Sequence, residues 1–165
     1  MSKNLDDLFL DLLKDTLDAE RQIVKSLPKM VKAAESEDLK AALEDHKAVT
    51  ETQIERLETV FKGLDKAARG KHCPGMEGLL KEGDELIKEE DPGPALDAAM
   101  ICAAQKVEHY EIAAYGTLVT YAKMLGNEEA VDLLSETLAE EKETDEALSA
   151  LASEINLVAQ EEPAE

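Results

Sequence analysis

The sequence predicts an all-α fold, a four-helix bundle with a long crossover carrying a short extra helix between its second and third long helices. Three observations predict it. Ala, Leu, Glu and Lys dominate, while Gly and Pro number only 8 and 5 in 165 residues, the usage of strong helix formers with few breakers. Apolar residues recur every three or four positions over long stretches, the period of a helix with one buried face. Stop and start signals then cut the chain into two long helices, a short one and two more long ones. With three Tyr, two Phe and no Trp, the core has to be Leu, Ala, Val, Ile and Met. The length suits one domain with a substantial core, taken as residues 1–159 with a polar tail from Gln160 to Glu165.

The first helix is expected from about Leu5 to Ala34. Asn4 is its N-cap, with Asp6 and Asp7 in the first turn where the helix dipole favours them. Pro28 predicts a kink, because proline removes a backbone donor and crowds the preceding turn. The second helix starts after Ser36 as N-cap and runs to about Lys62, stopping at Gly63. A loop from Lys66 to Gly75 leads into the short helix, about Met76 to Glu89. Asp91-Pro92-Gly93-Pro94 breaks the chain and opens the third long helix, which runs to about Leu125 and ends at Gly126. Asn127 caps the fourth, with Glu128 and Glu129 in its first turn. Short links make antiparallel neighbours within each pair. The long crossover makes the second and third long helices parallel, which is ferritin-like connectivity rather than up-down-up-down.

The net charge is −20, from 38 acidic and 18 basic residues. Such a field repels nucleic acid and anionic membrane surfaces and attracts cations. No apolar run approaches membrane-spanning length, and no secretory signal pattern opens the chain. Cys73 and Cys102 do not make a disulfide framework. The expected compartment is the cytoplasm, with both thiols reduced. The basic and apolar crossover leaves surface that a second copy would cover, so a homodimer is expected.

Most of the 38 carboxylates belong on solvated faces. Glu20, Glu108 and Glu141 do not fit that pattern. Each falls within the apolar stripe of a different long helix: Leu13, Leu17, Glu20, Val24; Ile101, Gln105, Glu108, Ile112; Leu134, Leu138, Glu141. Interior carboxylates can share a site only if cations or protons neutralise them. The second helix lapses too, placing His46, Thr50 and Gln53 on one face. Glu111 shares a side with Glu108, and Asp145 with Glu141. Dimetal bundles use a Glu from each of two helices and Glu-x-x-His from the other two; this chain has no Glu-x-x-His. The candidate ligands are therefore Glu20, His46, Gln53, Glu108, Glu111, Glu141 and Asp145. The third and fourth long helices make an oxygen-rich half-site suited to iron or manganese, and the first two a poorer one. The plainer readings are a core histidine at His46, packing roles for Gln105, Tyr110, Tyr115 and Tyr121, and a solvent- or partner-facing His109. Adjacent His72 and Cys73 are too few ligands for a zinc site, and Met76 is read as a gap-filler.

Three strings go further: His72-Cys73-Pro74-Gly75-Met76-Glu77-Gly78-Leu79-Leu80; Lys106-Val107-Glu108-His109-Tyr110-Glu111-Ile112-Ala113-Ala114-Tyr115-Gly116; and Leu138-Ala139-Glu140-Glu141-Lys142-Glu143-Thr144-Asp145. With these the chain resembles the YciE/YciF-like bacterial stress proteins over nearly its whole length. The resemblance implies a ferritin-like bundle, commonly dimeric, with a rubrerythrin-like dimetal position. One departure is that Ala48 and Val49 stand where the family often has acidic residues after the histidine. The expected function is a dimetal-carboxylate stress-response protein binding iron or manganese and handling oxygen or peroxide, with no catalytic residue assigned. The alternative is a non-catalytic structural or interaction stress protein whose degenerate site shares protons instead.

Overall fold

The computed structural model describes residues 3–161 and contains five α-helices: α1 Leu5–Ala33, α2 Glu37–Gly63, α3 Pro74–Glu89, α4 Pro94–Met124 and α5 Glu128–Glu161. No strand occurs among the described residues. The caps explain the boundaries. Asn4 and Asp7 form a reciprocal capping box, each side chain accepting the other's backbone N–H at 2.9 and 3.2 Å. Ser36 Oγ accepts from Leu39 N at 3.3 Å. Asn127 Oδ1 accepts from Ala130 N at 3.0 Å, after a left-handed turn at Gly126 (φ 69°).

Pro28 lies inside α1, which runs on to Ala33. α2 ends at Gly63, and the left-handed residue that follows is Asp65 (φ 55°); aspartate is among the few side chains that tolerate this region. Two boundaries differ from the sequence reading. α3 begins at Pro74, two residues early, because Cys73 serves as N-cap and proline suits the first helical turn. Gln160 and Glu161 belong to α5, and the remainder of the polar tail, 162–165, lies outside the described residues.

α1 packs against α2 and α4, and α5 against the same two, while α3 rests on α1 and α4. Direction follows from one buried carboxylate. Asp97, in the first turn of α4, accepts from Glu35 N at 2.9 Å and Ser36 N at 2.7 Å. This sets the start of α4 beside the start of α2, so the two run the same way and the crossover 64–93 returns along the molecule. The crossover is fastened to α1. Cys73 N donates to Asp18 at 2.8 Å, and Tyr110 Oη donates to Asp15 at 2.9 Å while lying 3.0 Å from Cys73 Sγ. Gly75 is required there, because a Cβ would stand 2.9 Å from the Tyr110 ring. Met76 is fully buried, as expected of a gap-filler. Cys73 is buried and Cys102 exposed, both as free thiols.

The core is in two parts. One cluster joins Leu13, Leu17, Leu57, Phe61, Leu118 and Leu134 with their neighbours. The other joins Ile23, Leu27, Leu39, Leu43, Met100 and Leu148 with theirs. On each long helix the polar interior positions fall between the two clusters: Glu20 on α1, His46 to Gln53 on α2, Glu108 and Glu111 on α4, Glu141 on α5. Among the described residues no helix is long and apolar enough to cross a membrane.

Asp97→Ala removes the acceptor for two part-buried backbone donors at the α1–α2 turn. Hydrogen bonds to a charged group contribute about 1.5–3 kcal/mol each, so urea denaturation should show a loss of about 3–6 kcal/mol. Asp97→Asn, which keeps one carbonyl acceptor, should recover part of it.

Candidate metal centre

Every long helix contributes to the layer between the two apolar clusters. Glu108 and Glu111 project together because three residues return nearly one helical turn. His46 on α2, Glu108 and Glu111 on α4, and Glu141 on α5 each offer a ligand atom, and these four atoms lie within 4.8 Å of one another. All four residues are buried. His46 Nε2 stands 3.2 Å from Glu108 Oε1, outside hydrogen-bonding geometry.

Glu20 joins from α1 at one side. It is fully buried, accepts a hydrogen bond from the Tyr115 hydroxyl, and lies beside Glu111. Gln53 donates through Nε2 to Glu141 Oε1 and, at 3.1 Å, to Glu140 Oε2. The structure therefore brings Glu20, His46, Gln53, Glu108, Glu111 and Glu141 together, with Gln53 touching the group through its amide nitrogen. Thr50 does not reach the His46 ring; it donates to the His46 carbonyl at 2.8 Å.

Asp145 is not brought into the group. Its carboxylate meets Gln105 Nε2 at 3.2 Å and His109 Nε2 at 3.1 Å on the rim. Four residues beyond Glu141 is roughly 40° further round the helix, and the short side chain cannot make up the difference. His109 is exposed, as its position on α4 implied.

One supporting pair was not visible in sequence. Arg56 on α2 clamps Glu140 on α5 with two hydrogen bonds, 2.6 and 2.8 Å, and reaches Glu136 at 2.9 Å. Glu140 in turn receives Gln53, so the pair fixes the amide that holds Glu141. The one signal available was the i, i+3 spacing of Gln53 and Arg56 on α2.

Burial dominates the electrostatics. It pushes the Glu20 carboxyl up to about 8, opposed by contacts with Glu111 and Tyr115 and reinforced by the charge of Glu141. Burial first, and then Glu141, also raises Glu108; burial and Glu20 raise Glu111 far above the carboxylate range. Burial raises Glu141 too, opposed by the contacts with Glu108 and Glu111 and by the hydrogen bond from Gln53. Burial alone lowers His46 to about 4, so its imidazole is neutral at pH 7.

The hydrogen-bond inventory tests whether a cation fits. Glu20 Oε2, His46 Nε2, Gln53 Oε1, both oxygens of Glu108 and of Glu111, and Glu141 Oε2 are buried with no hydrogen-bond partner. Each carries a lone pair when the acids are ionised and that nitrogen is unprotonated. An oxygen-rich set with one imidazole suits a hard divalent cation such as manganese or ferrous iron. The residues fit such an ion.

Fold and site together define an all-helical protein with a carboxylate–histidine group sealed between two halves of its core. Residues 4–161 match the family described as a domain of unknown function, DUF892, and the chain belongs to that family. It is 47% identical over 152 residues to Protein YciF of Escherichia coli K12, covering 91% of each chain. The crystal structure of the E. coli stress protein YciF superposes with a TM-score of 0.90 at 44% identity, covering 93% of this chain and 98% of that one. YcfI from Rhodopseudomonas palustris, described as a candidate structural protein, gives 0.86 at 44% identity over 89% and 94%. A protein from Xanthomonas campestris, 21% identical, shares the fold with a TM-score of 0.77. The family resemblance read from the three sequence strings is thereby borne out.

Metal-free protein should lose stability as pH rises. The buried carboxyls keep protons that the unfolded chain gives up near pH 4.5, so each raised group weakens the fold from there up to its own folded value, about 8 for Glu20. His46 has the opposite sign: its folded value near 4 removes stability as pH falls below about 6.5. Between pH 6.5 and 8 the carboxyls act alone, at about 1.4 kcal/mol per pH unit for each proton retained. With chelator present, the melting temperature should be higher at pH 6.5 than at pH 8. A flat profile would mean that the group is already ionised.

Proposed function

We propose that this chain is a ferritin-like four-helix bundle, formed by α1, α2, α4 and α5 with α3 as the extra helix, that holds iron or manganese in a dimetal-carboxylate centre as part of a stress response. The observation that carries this reading is the set of unpartnered lone-pair atoms in one buried layer. His46, Glu108, Glu111 and Glu141 would hold one ion, and Glu20 with Glu111 the poorer second position. Bound iron or manganese would supply one-electron redox chemistry toward oxygen or peroxide. The chain's own contribution is to fix the ligands and exclude water: Tyr115 orients Glu20, Gln53 orients Glu141, and the Arg56–Glu140 pair fixes Gln53.

The competing reading is a non-catalytic structural or interaction protein whose centre holds protons instead of metal. The absence of Glu-x-x-His and the description of YcfI favour it. We also propose a homodimer in the cytoplasm without nucleic-acid partners. The net charge of −20 and the exposed apolar Leu157 and Val158 on α5 support this.

The double substitution Glu108→Gln, Glu141→Gln separates the two readings. In a metal protein, Mn²⁺ or Fe²⁺ at about 100 times Kd should add about 2.7 kcal/mol, and the double variant should lose both the binding and that gain. In a proton-sharing protein, added metal or chelator leaves the melting temperature unchanged, and the double variant melts higher because repulsion is gone while shape is kept. Calorimetric titration and thermal melts give the answer.

The dimer is checked by sedimentation equilibrium at tens of micromolar, which should show a species of twice the chain mass. A single species of one chain mass would remove it.

A further inference from the structure

Between α2 and α5 lies an open cavity of about 300 Å³ lined by Asp45, His46, Val49, Glu140, Glu143 and Ala147 among others. No Lys or Arg lines it. His46 belongs to both this cavity and the buried centre. It lines the groove, while its Nε2, buried and without a hydrogen-bond partner, lies 3.2 Å from Glu108. Four further cavities, near the helix ends and along α3, are lined by none of the six residues gathered at the centre.

We propose that the groove between α2 and α5 is the entry port through which divalent cations reach the buried centre, with His46 as the ligand that passes them inward. The inference rests on the metal reading above and adds the route to it. Three features carry it. The mouth is acidic, with Asp45 and Glu143 exposed on its two walls, and a cleft lined by one sign of charge concentrates the opposite ion and raises its arrival rate. Glu140, deeper in the same wall, is already engaged by Arg56 and Gln53, so it does not compete as a trap. The small side chains Ala42, Val49 and Ala147 leave the space above the imidazole unfilled.

Uptake of Co²⁺ by the full chain tests the port, followed by stopped-flow absorbance, with equilibrium affinity measured separately. Ala147→Trp fills the groove without touching a ligand. It raises the barrier and leaves both end states alone, so association and dissociation should slow together, severalfold or more, with Kd unchanged. Glu143→Lys reverses charge at the mouth. It should slow uptake severalfold at low salt and much less at high salt, where exposed charges are screened. Asp45→Lys should behave alike, so the charge variants decide the matter if the Trp variant does not fold. Uptake rates equal to the parent's in the charge variants at low salt, with Kd intact, would overturn the port and leave the centre standing. A parent protein that binds no Co²⁺ at equilibrium would overturn both.

Discussion

The structure depends on four carboxyl groups held out of water between two apolar clusters. A buried polar atom without a partner costs about 1–3 kcal/mol, more if charged, and whole domains are stable by only about 5–15 kcal/mol. Eight such atoms meet in this layer. They cannot all stay ionised and unpartnered in a protein that folds, so neutralisation by cations or by protons is a condition of the fold itself. The same layer sets the register of the four long helices. Sliding any one of them by a turn would move a polar side chain of the layer into an apolar cluster and an apolar side chain into the layer.

The layer is unequal around its circumference. α4 supplies two carboxyls, α1 and α5 one each, and α2 an imidazole and an amide. The Arg56–Glu140 pair lies next to this group at the α2–α5 seam, where half-buried charges attract more strongly than in open water. It orders Gln53 and keeps Glu140 ionised, its carboxyl held below the usual range by Arg56 and Gln53 despite its partial burial. The Glu140 carboxylate, its charge balanced by Arg56, lies beside the group and helps to raise Glu20 and Glu141. The α2–α5 seam is also where the groove over His46 opens. Rigidity, charge and access thus meet on one side of the molecule.

The opposite side is closed by the crossover. Tyr110 lies between Glu108 and Glu111 in sequence, yet points away from them to Asp15 and Cys73. α4 therefore holds the carboxyl pair on one face and the α3 anchor on another. Burial raises the Cys73 thiol above its ordinary range, consistent with a packing and capping role for this cysteine. His72 beside it is exposed, 3.1 Å from Glu77.

The sequence alone determined the helices and the polar lapses within them. Both are local: periodicity and caps act over a few residues, so Asn4, Ser36, Gly126 and Asn127 could be assigned their roles directly, and Glu20, Glu108 and Glu141 stood out against their own stripes. It also carried the family, because the Glu-His-Tyr-Glu string is contiguous. What it could not supply were relations between helices. Whether Asp145 or only Glu141 reaches the layer depends on how far α5 is rotated against α4, and that angle follows from packing. The left-handed residue at Asp65 depends on how the crossover leaves α2. The Arg56–Glu140 clamp and the groove over His46 join residues about ninety positions apart, a separation over which a single sequence carries no spacing rule. Which residues share a face is set within each helix; which faces meet, and at what depth, was decided by the tertiary structure, where burying two apolar clusters fixes the rotation and register of all four long helices together.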